Sequence, residues 1–278
     1  MTDLSLTVDT PVVMGIVNMT VDSFSDGGEF VDHDRALAHA LDLVVAGATI
    51  VDIGGESTRP GASRVPVELE QARVVPVVRD LATRGIAVSV DTLNASTARA
   101  AVHAGARFIN DVSGGLADPN MVRTAAQLAV ESGAVYIAGH WRGSSATMND
   151  LALYDDVVAE VRTELTQRVD ALLAAGMSRD SIVLDPGLGF AKTAAHNWTL
   201  LAHLPTLTEL GFPVLIGASR KRFIAELMPD GATMLERDVP SAVVAADSIA
   251  AGAWGVRVHD VRATRLALAV RAQWKAAS

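Results

Sequence analysis

The chain has 278 residues, 50% of them hydrophobic, 20% charged and 4% aromatic, a composition that supplies a globular core and excludes disorder as the default. Its 23 Lys and Arg against 32 Asp and Glu give a net charge of -9, which disfavours a non-specific hold on nucleic acid or an anionic membrane, so neither is expected as a partner. With no cysteine, the chain has no disulfide framework, thiolate metal site or catalytic thiol.

Residues 1–11 carry Asp3 and Asp9 and lack the basic stretch and apolar run of a secretory signal. The longest apolar stretch, 243–258, is interrupted by Asp247 and Arg257, too soon to cross a bilayer. A soluble, cytoplasmic protein is expected. From residue 12 onward, short Val- and Ile-rich runs alternate with segments of helical spacing. The runs are 12–18, 49–54, 87–91, 108–112, 134–140, 182–185, 213–217 and 255–259. They are continuously apolar, as a parallel sheet buried on both faces requires. Between them, Leu37, Leu41, Val44 and Val45 form one apolar stripe. Val157, Val161, Leu165, Val169 and Leu172 form another, and Leu266, Val270 and Trp274 a third. Asp118 followed by Pro119 reads as a helix cap and first helical residue. Eight strand-then-helix units without a long linker predict an α/β fold, a (β/α)8 TIM barrel filling 1–278 as a single domain with its core at about 12–275. A doubly wound open sheet is the alternative.

Each predicted strand ends in polar residues: Asn18, Glu56, Asp91, Asn110 with Asp111, His140, Asp185, Ser219 with Lys221, and Arg257 with His259. Any one of them is explained as a cap or turn former. Eight strands behaving alike point to a binding or catalytic mouth at the C-terminal ends of a barrel. Asp91, Asn110 and Asp185 offer acceptors and an amide suited to a flat heterocycle with several N–H donors. Arg59, Lys221, Arg257 and His259 are suited to phosphate oxygens. Lys221, in Ser219-Arg220-Lys221-Arg222, stands out because the chain has three lysines against twenty arginines. Gly54-Gly55, Gly114-Gly115 and Gly187-Leu188-Gly189 follow strands and read as tight turns rather than as Rossmann or Walker phosphate loops. The loops Asp22 to Gly28 and Ser57 to Gly61 are placed to fold over the mouth.

The seven histidines show no paired ligand spacing, and no GxSxG elbow is present. His33, His39, His103, His196 and His203 fall in helical segments and read as surface or packing residues. An oxygen-ligated Mg2+ near Asn18 stays open, since that ion keeps waters and needs few protein ligands.

Gly15-Ile16-Val17-Asn18-Met19-Thr20 running into Asp22-Ser23-Phe24-Ser25-Asp26-Gly27-Gly28 resembles the first signature of the dihydropteroate synthases. Asp52-Ile53-Gly54-Gly55-Glu56-Ser57-Thr58-Arg59-Pro60-Gly61 resembles the second. Ser89-Val90-Asp91-Thr92, Asn110 to Gly115, Leu184 to Gly187, Gly217 to Arg222 and Arg257 to Asp260 look like the remaining ones, in order, over about 12–270. The resemblance implies a TIM-barrel transferase of the folate pathway, often a homodimer. Such enzymes join 6-hydroxymethyl-7,8-dihydropterin diphosphate to 4-aminobenzoate, release pyrophosphate, and are sulfonamide targets. By position, Asp91, Asn110, Asp185 and Lys221 would bind the pterin, with Asp91, Asp185 and Lys221 as the catalytic candidates. Asn18, Arg257 and His259 would hold the diphosphate, with Mg2+ as cofactor at Asn18. Phe24, Thr58, Arg59, Pro60 and Ser219 would form the 4-aminobenzoate site. A dissociative step is expected, the diphosphate leaving before the aniline attacks. Two departures fall at this site. Gly139 stands where many members have Met, which removes an apolar contact beneath the pterin, and Val21 replaces a proline, which loosens the first loop.

Two other functions are compatible with such a barrel: a pterin-dependent methyltransferase, and a non-catalytic pterin-binding paralogue. The cationic residues Arg59, Ser219 to Arg222, Arg257 and His259 favour the synthase over both.

Overall fold

A computed structural model of the chain describes residues 10–19, 29–56, 64–144 and 146–277, with side chains in the first helix from residue 33. In chain order the elements are β1 (Val12–Asn18), α1 (Glu29–Val45), β2 (Ile50–Gly54), α2 (Val67–Thr83), β3 (Val88–Asp91), α3 (Ala95–His103), β4 (Phe108–Asp111), α4 (Met121–Ser132), β5 (Val135–Gly139) and α5 (Val157–Ala174). They continue with β6 (Ile182–Asp185), α6 (Ala194–Ala202), α7 (Leu204–Thr208), β7 (Leu215–Ile216), α8 (Arg222–Ala225), α9 (Asp238–Ala250), β8 (Gly255–Val258) and α10 (Val261–Ala276).

The eight strands form one parallel sheet in the order β6-β5-β4-β3-β2-β1-β8-β7. A single parallel bridge, Leu184 to Val214, joins its two edges and closes the barrel. The TIM-barrel expectation therefore holds. The pleat divides each strand between two environments. Val12, Met14, Ile50, Phe108, Ile137, Val183 and Leu215 form a small cluster inside the barrel, while the larger core lies between strands and helices. Counting by twos from the inner cluster, Asp91, Asn110, Asp185 and Arg257 all reach the inner face at the C-terminal ends.

Some helix faces differ from expectation. The α5 stripe Val157, Val161, Leu165, Val169 and Leu172 is buried throughout, as its spacing predicts. In α1 the buried face is Ala36, Ala40 and Leu43. Leu37, Leu41 and Val44 only flank it, and Val45 is exposed. The α10 stripe is overturned: Leu266, Val270 and Trp274 are 64%, 67% and 70% exposed, and the helix buries Val261 and Thr264 instead. Asp118 and Pro119 do not open α4, which starts at Met121. The Asp118 carboxylate accepts from Ala95 N (2.8 Å), at the start of α3, and from Asn120 N (2.9 Å).

Gly139 is set by a close approach. A Cβ there would lie 2.5 to 2.7 Å from the backbone O, Cα and C of Val112. The place expected to be a lost apolar contact is thus filled by the chain leaving β4. Gly139→Ala should destabilise the barrel by about 1–3 kcal/mol, read as a lower urea midpoint, because the colliding atoms are backbone. An unchanged midpoint would show that the Val112 segment yields.

Candidate active site

The C-terminal strand ends enclose a cavity of about 480 Å³, lined by Asn18, Asp91, Ser219, Lys221, Arg257 and His259 among others. At its floor lies a buried charge cluster. Arg257 donates from Nε to Asp52 Oδ2 (2.6 Å) and from Nη2 to Asp91 Oδ2 (2.7 Å). Asn110 Nδ2 donates to the same Asp52 oxygen at 3.0 Å. Asp52 is fully buried and its Oδ1 has no partner. Burial pushes the Asp91 carboxyl up, with Arg257 opposing. Burial works against the Arg257 charge, yet Asp52 and Asp91 hold its pKa above the ordinary value.

Asp185, ending β6, accepts from Gly187 N at 2.7 Å through Oδ1. Its Oδ2 lies 3.6 Å, and Lys221 Nζ 4.0 Å, from where a Cβ on Gly217 would stand, so both groups approach the same position beside the Arg257 side chain. Burial pushes the Lys221 amine down to about 8 while Asp185 pulls it up. Lys221 Nζ also donates to Leu188 O and sits 4.5 Å from the Phe190 ring centre. The basic cluster around it separates. Arg222 is exposed, and Arg220 pairs with Asp238 through Nε (2.6 Å) and Nη2 (2.8 Å). Arg220 has a left-handed φ of 59°, held because its N donates to Ser241 Oγ (3.0 Å) and its O accepts from Arg237 (3.2 Å).

Ser219 turns to His259: its Oγ accepts from His259 N at 3.2 Å and lies 3.0 Å from His259 Nδ1. A hydroxyl that accepts from His259 N keeps its own proton available, so Oγ can donate to Nδ1. Asn18 stands at the end of β1, facing the cavity.

Not every polar strand end joins the mouth. Asp111, one residue out of phase with Asn110, faces away and builds the next turn. It accepts from Ser113 N (2.8 Å), Ser113 Oγ (2.6 Å), Gly115 N (2.8 Å) and the Tyr136 hydroxyl (2.6 Å). Glu56 pairs with Arg64 at 2.9 Å, and Arg64 also donates to Asn94 Oδ1 at 2.8 Å. Asn94, Thr92 and Thr97 in turn donate to the fully buried Glu70 at 2.6 to 2.7 Å, a network with no sequence signal beyond a glutamate on an apolar helix face. Phe24, Thr58, Arg59, Pro60 and Val21 lie outside the described residues.

Sequence reasoning missed Asp52, Phe190 and Lys192 as cavity residues or their supports. Their signals were present: Asp52 shares the inward phase of β2, and Lys192 is another of only three lysines. Lys192 is buried and lies 2.8 Å from His140 Nδ1, while His140 Nε2 lies 2.9 Å from Glu164 Oε2. Burial opposes ionisation of Glu164, but His140 and Arg142 hold it down at about 2. Burial, with Lys192 and Arg142 beside it and Glu164 opposing, pushes His140 down from 6.5 to about 4. The unfolded chain therefore takes up this proton first. Stability from neutral His140 is full above pH 6.5 and is lost as pH falls towards 4. Relative to His140→Gln, the native chain should lose up to about 3 kcal/mol across that window in urea titrations. Parallel pH profiles would contradict a neutral buried His140.

Residues 14–259 match the family described as "Pterin binding enzyme". The chain is 52% identical over 272 residues to the dihydropteroate synthase of Mycobacterium leprae, covering 94% of this chain and 93% of that one. It is similar to the Xanthomonas albilineans dihydropteroate synthase solved with 4-aminobenzoic acid (TM-score 0.87, 45% identity, 97% and 93% of the two chains). The same protein solved with 7,8-dihydropteroate gives a TM-score of 0.85 at 43% identity, over 99% and 95%. With this agreement spanning the strands and the cavity between them, the chain belongs to the pterin-binding enzyme family, among its dihydropteroate synthases.

Proposed function

We infer that the chain condenses 6-hydroxymethyl-7,8-dihydropterin diphosphate with 4-aminobenzoate to 7,8-dihydropteroate and pyrophosphate. The observation that carries this reading is the approach of Asp185 and Lys221 to the Gly217 position, beside Arg257 and its partner Asp91, where Asp91, Gly217, Lys221 and Arg257 line one cavity. A pterin presents a guanidine-like edge that Asp185 Oδ2 can accept from, and Lys221 supplies the donor beside it. Asp91 and Asn110 meet the remaining ring nitrogens. The C–O bond from the pterin methylene to the diphosphate breaks with both electrons going to oxygen. The methylene cation so formed is conjugated to the ring and lies above carboxylates. The neutral aniline nitrogen attacks this carbon and then loses a proton.

His259 and Arg257 receive the diphosphate. Ser219 Oγ, by occupying His259 Nδ1, keeps the ring's proton on Nε2, so its role is to set a donor for the leaving group. Among the described residues no three His, Asp or Glu are grouped to hold a metal on their own. The Asn18 carboxamide suits Mg2+ that arrives with the diphosphate, since this ion keeps waters and shares substrate oxygens. When bound it would neutralise charge on the departing diphosphate.

Purified protein given both substrates should release pyrophosphate and form dihydropteroate. Ser219→Ala should lower kcat/KM for the dihydropterin diphosphate by about tenfold, an effect of about 1.4 kcal/mol. Pterin binding without pyrophosphate release would instead favour the non-catalytic paralogue.

Exposed apolar stripes favour pairing with a second copy of the chain. Helices α9 and α10 pack together, and Val239 and Val243 on one, with Leu266, Val270 and Trp274 on the other, are left exposed. Sedimentation should give a homodimer that Leu266→Glu with Val270→Glu converts to monomer, each buried side chain contributing about 1.5–3 kcal/mol. A dimer that survives both changes places the interface elsewhere. Among the described residues no helix is long and apolar enough to cross a membrane. With a diphosphate substrate, the reaction belongs to the cytoplasm.

A further inference from the structure

Lys192 takes no part in the binding assigned above, yet only 7% of it is exposed. Its ammonium is ringed by His140 Nδ1 at 2.8 Å and by the carbonyls of Gly187 and Phe190, each at 3.1 Å. Three acceptors match the three donors of an ammonium group. Behind Lys192, His140 Nε2–H donates to Glu164, which makes Nδ1 the acceptor. Glu164 is anchored by Arg142 Nε at 3.0 and 3.1 Å.

In front, both carbonyls belong to the loop between β6 and α6. That loop carries left-handed backbone at Gly187 (φ 64°) and at Ala191 (φ 47°), the latter a conformation that a side chain disfavours. From the other side, Lys221 Nζ donates to Leu188 O and lies by the Phe190 ring. Two lysine side chains therefore grip one loop, and both line the cavity, Lys192 with its amine turned into the loop carbonyls and His140. The loop stands beyond the strand end that carries Asp185, and its Gly189, Phe190 and Lys192 line the cavity. Asp185 depends less on Lys192, because its bond to Gly187 N is a local turn contact two residues long.

We propose that Lys192 is a positioning residue for the acceptor: it holds the β6–α6 loop so that Phe190 and Lys221 face the incoming aromatic amine. This rests on the transferase reading above. An apolar side chain of equal length would leave both carbonyls and His140 Nδ1 without a donor, and the strained turn at Ala191 without its tie.

The test compares the full chain with Lys192→Met. The 4-aminobenzoate KM should rise at least tenfold, while the Kd for dihydropterin diphosphate, measured by calorimetry without acceptor, stays within threefold. Lys192→Ala should show the same split, and methylammonium, but not tetramethylammonium, should restore its acceptor KM by threefold or more. Equal loss of both affinities, an unchanged acceptor KM, or no rescue overturns the proposal. Should Lys192→Met not fold, His140→Gln is expected to raise the same KM at least threefold with the pterin Kd unaltered, and an unmoved KM there overturns it too. Native protein that forms no dihydropteroate defeats the transferase reading itself, whereas an active native enzyme with an indifferent Lys192→Met defeats only the role of Lys192.

Discussion

Arg257 lies between Asp52 and Asp91 at the bottom of the mouth, and most of the site is arranged around that buried pair of contacts. Taking three charged groups out of water is costly, and an apolar cluster of similar volume would often be as stable or more so. Removing one partner alone typically costs about 3–5 kcal/mol, because the others remain buried and uncompensated. The cluster is therefore better understood from its field than from its stability. Burial raises Asp91 to about 7, so only when it is ionised do two carboxylates against one guanidinium leave the floor electronegative, with Asn110 tied to the same Asp52 oxygen. A floor of that sign suits a pterin on which positive charge develops as the diphosphate departs.

Basic side chains occupy the next layer up. Lys221, Arg220 and His259 stand on the exits of β7 and β8, each fixed by a contact to another element: Leu188 O, Asp238 and Ser219 respectively. The net charge of -9 thus describes the molecule as polyanions would meet it, while a small diphosphate meets the opposite sign locally. In the proposed reaction, the carboxyls below would face the part of the substrate that becomes positive, and the basic groups above the part that leaves as an anion.

The strands and their inward residues were legible because parallel strands buried on both faces leave a continuous apolar run, and a polar residue ending such a run must be explained. The period of two also separates Asn110 from Asp111, although only the inner cluster around Phe108 shows which of them looks inward. The α10 stripe misled for the opposite reason. Helical spacing shows that Leu266, Val270 and Trp274 share a face but does not say what that face meets. The supports were least visible. Lys192 with His140, and Glu70 with Asn94, meet across separations of 52 and 24 residues, and their pairing exists only after the barrel has closed.

The seam between β6 and β7 is the thinnest part of the sheet, with the one bridge from Leu184 to Val214. Above it, Lys221 reaches from the β7 exit to Leu188 O on the β6 exit, adding a side-chain stitch where ladder hydrogen bonds are scarce. One lysine thereby serves the substrate pocket and the closure of the barrel together. A replacement that altered the pocket at Lys221 would also loosen the seam beneath it.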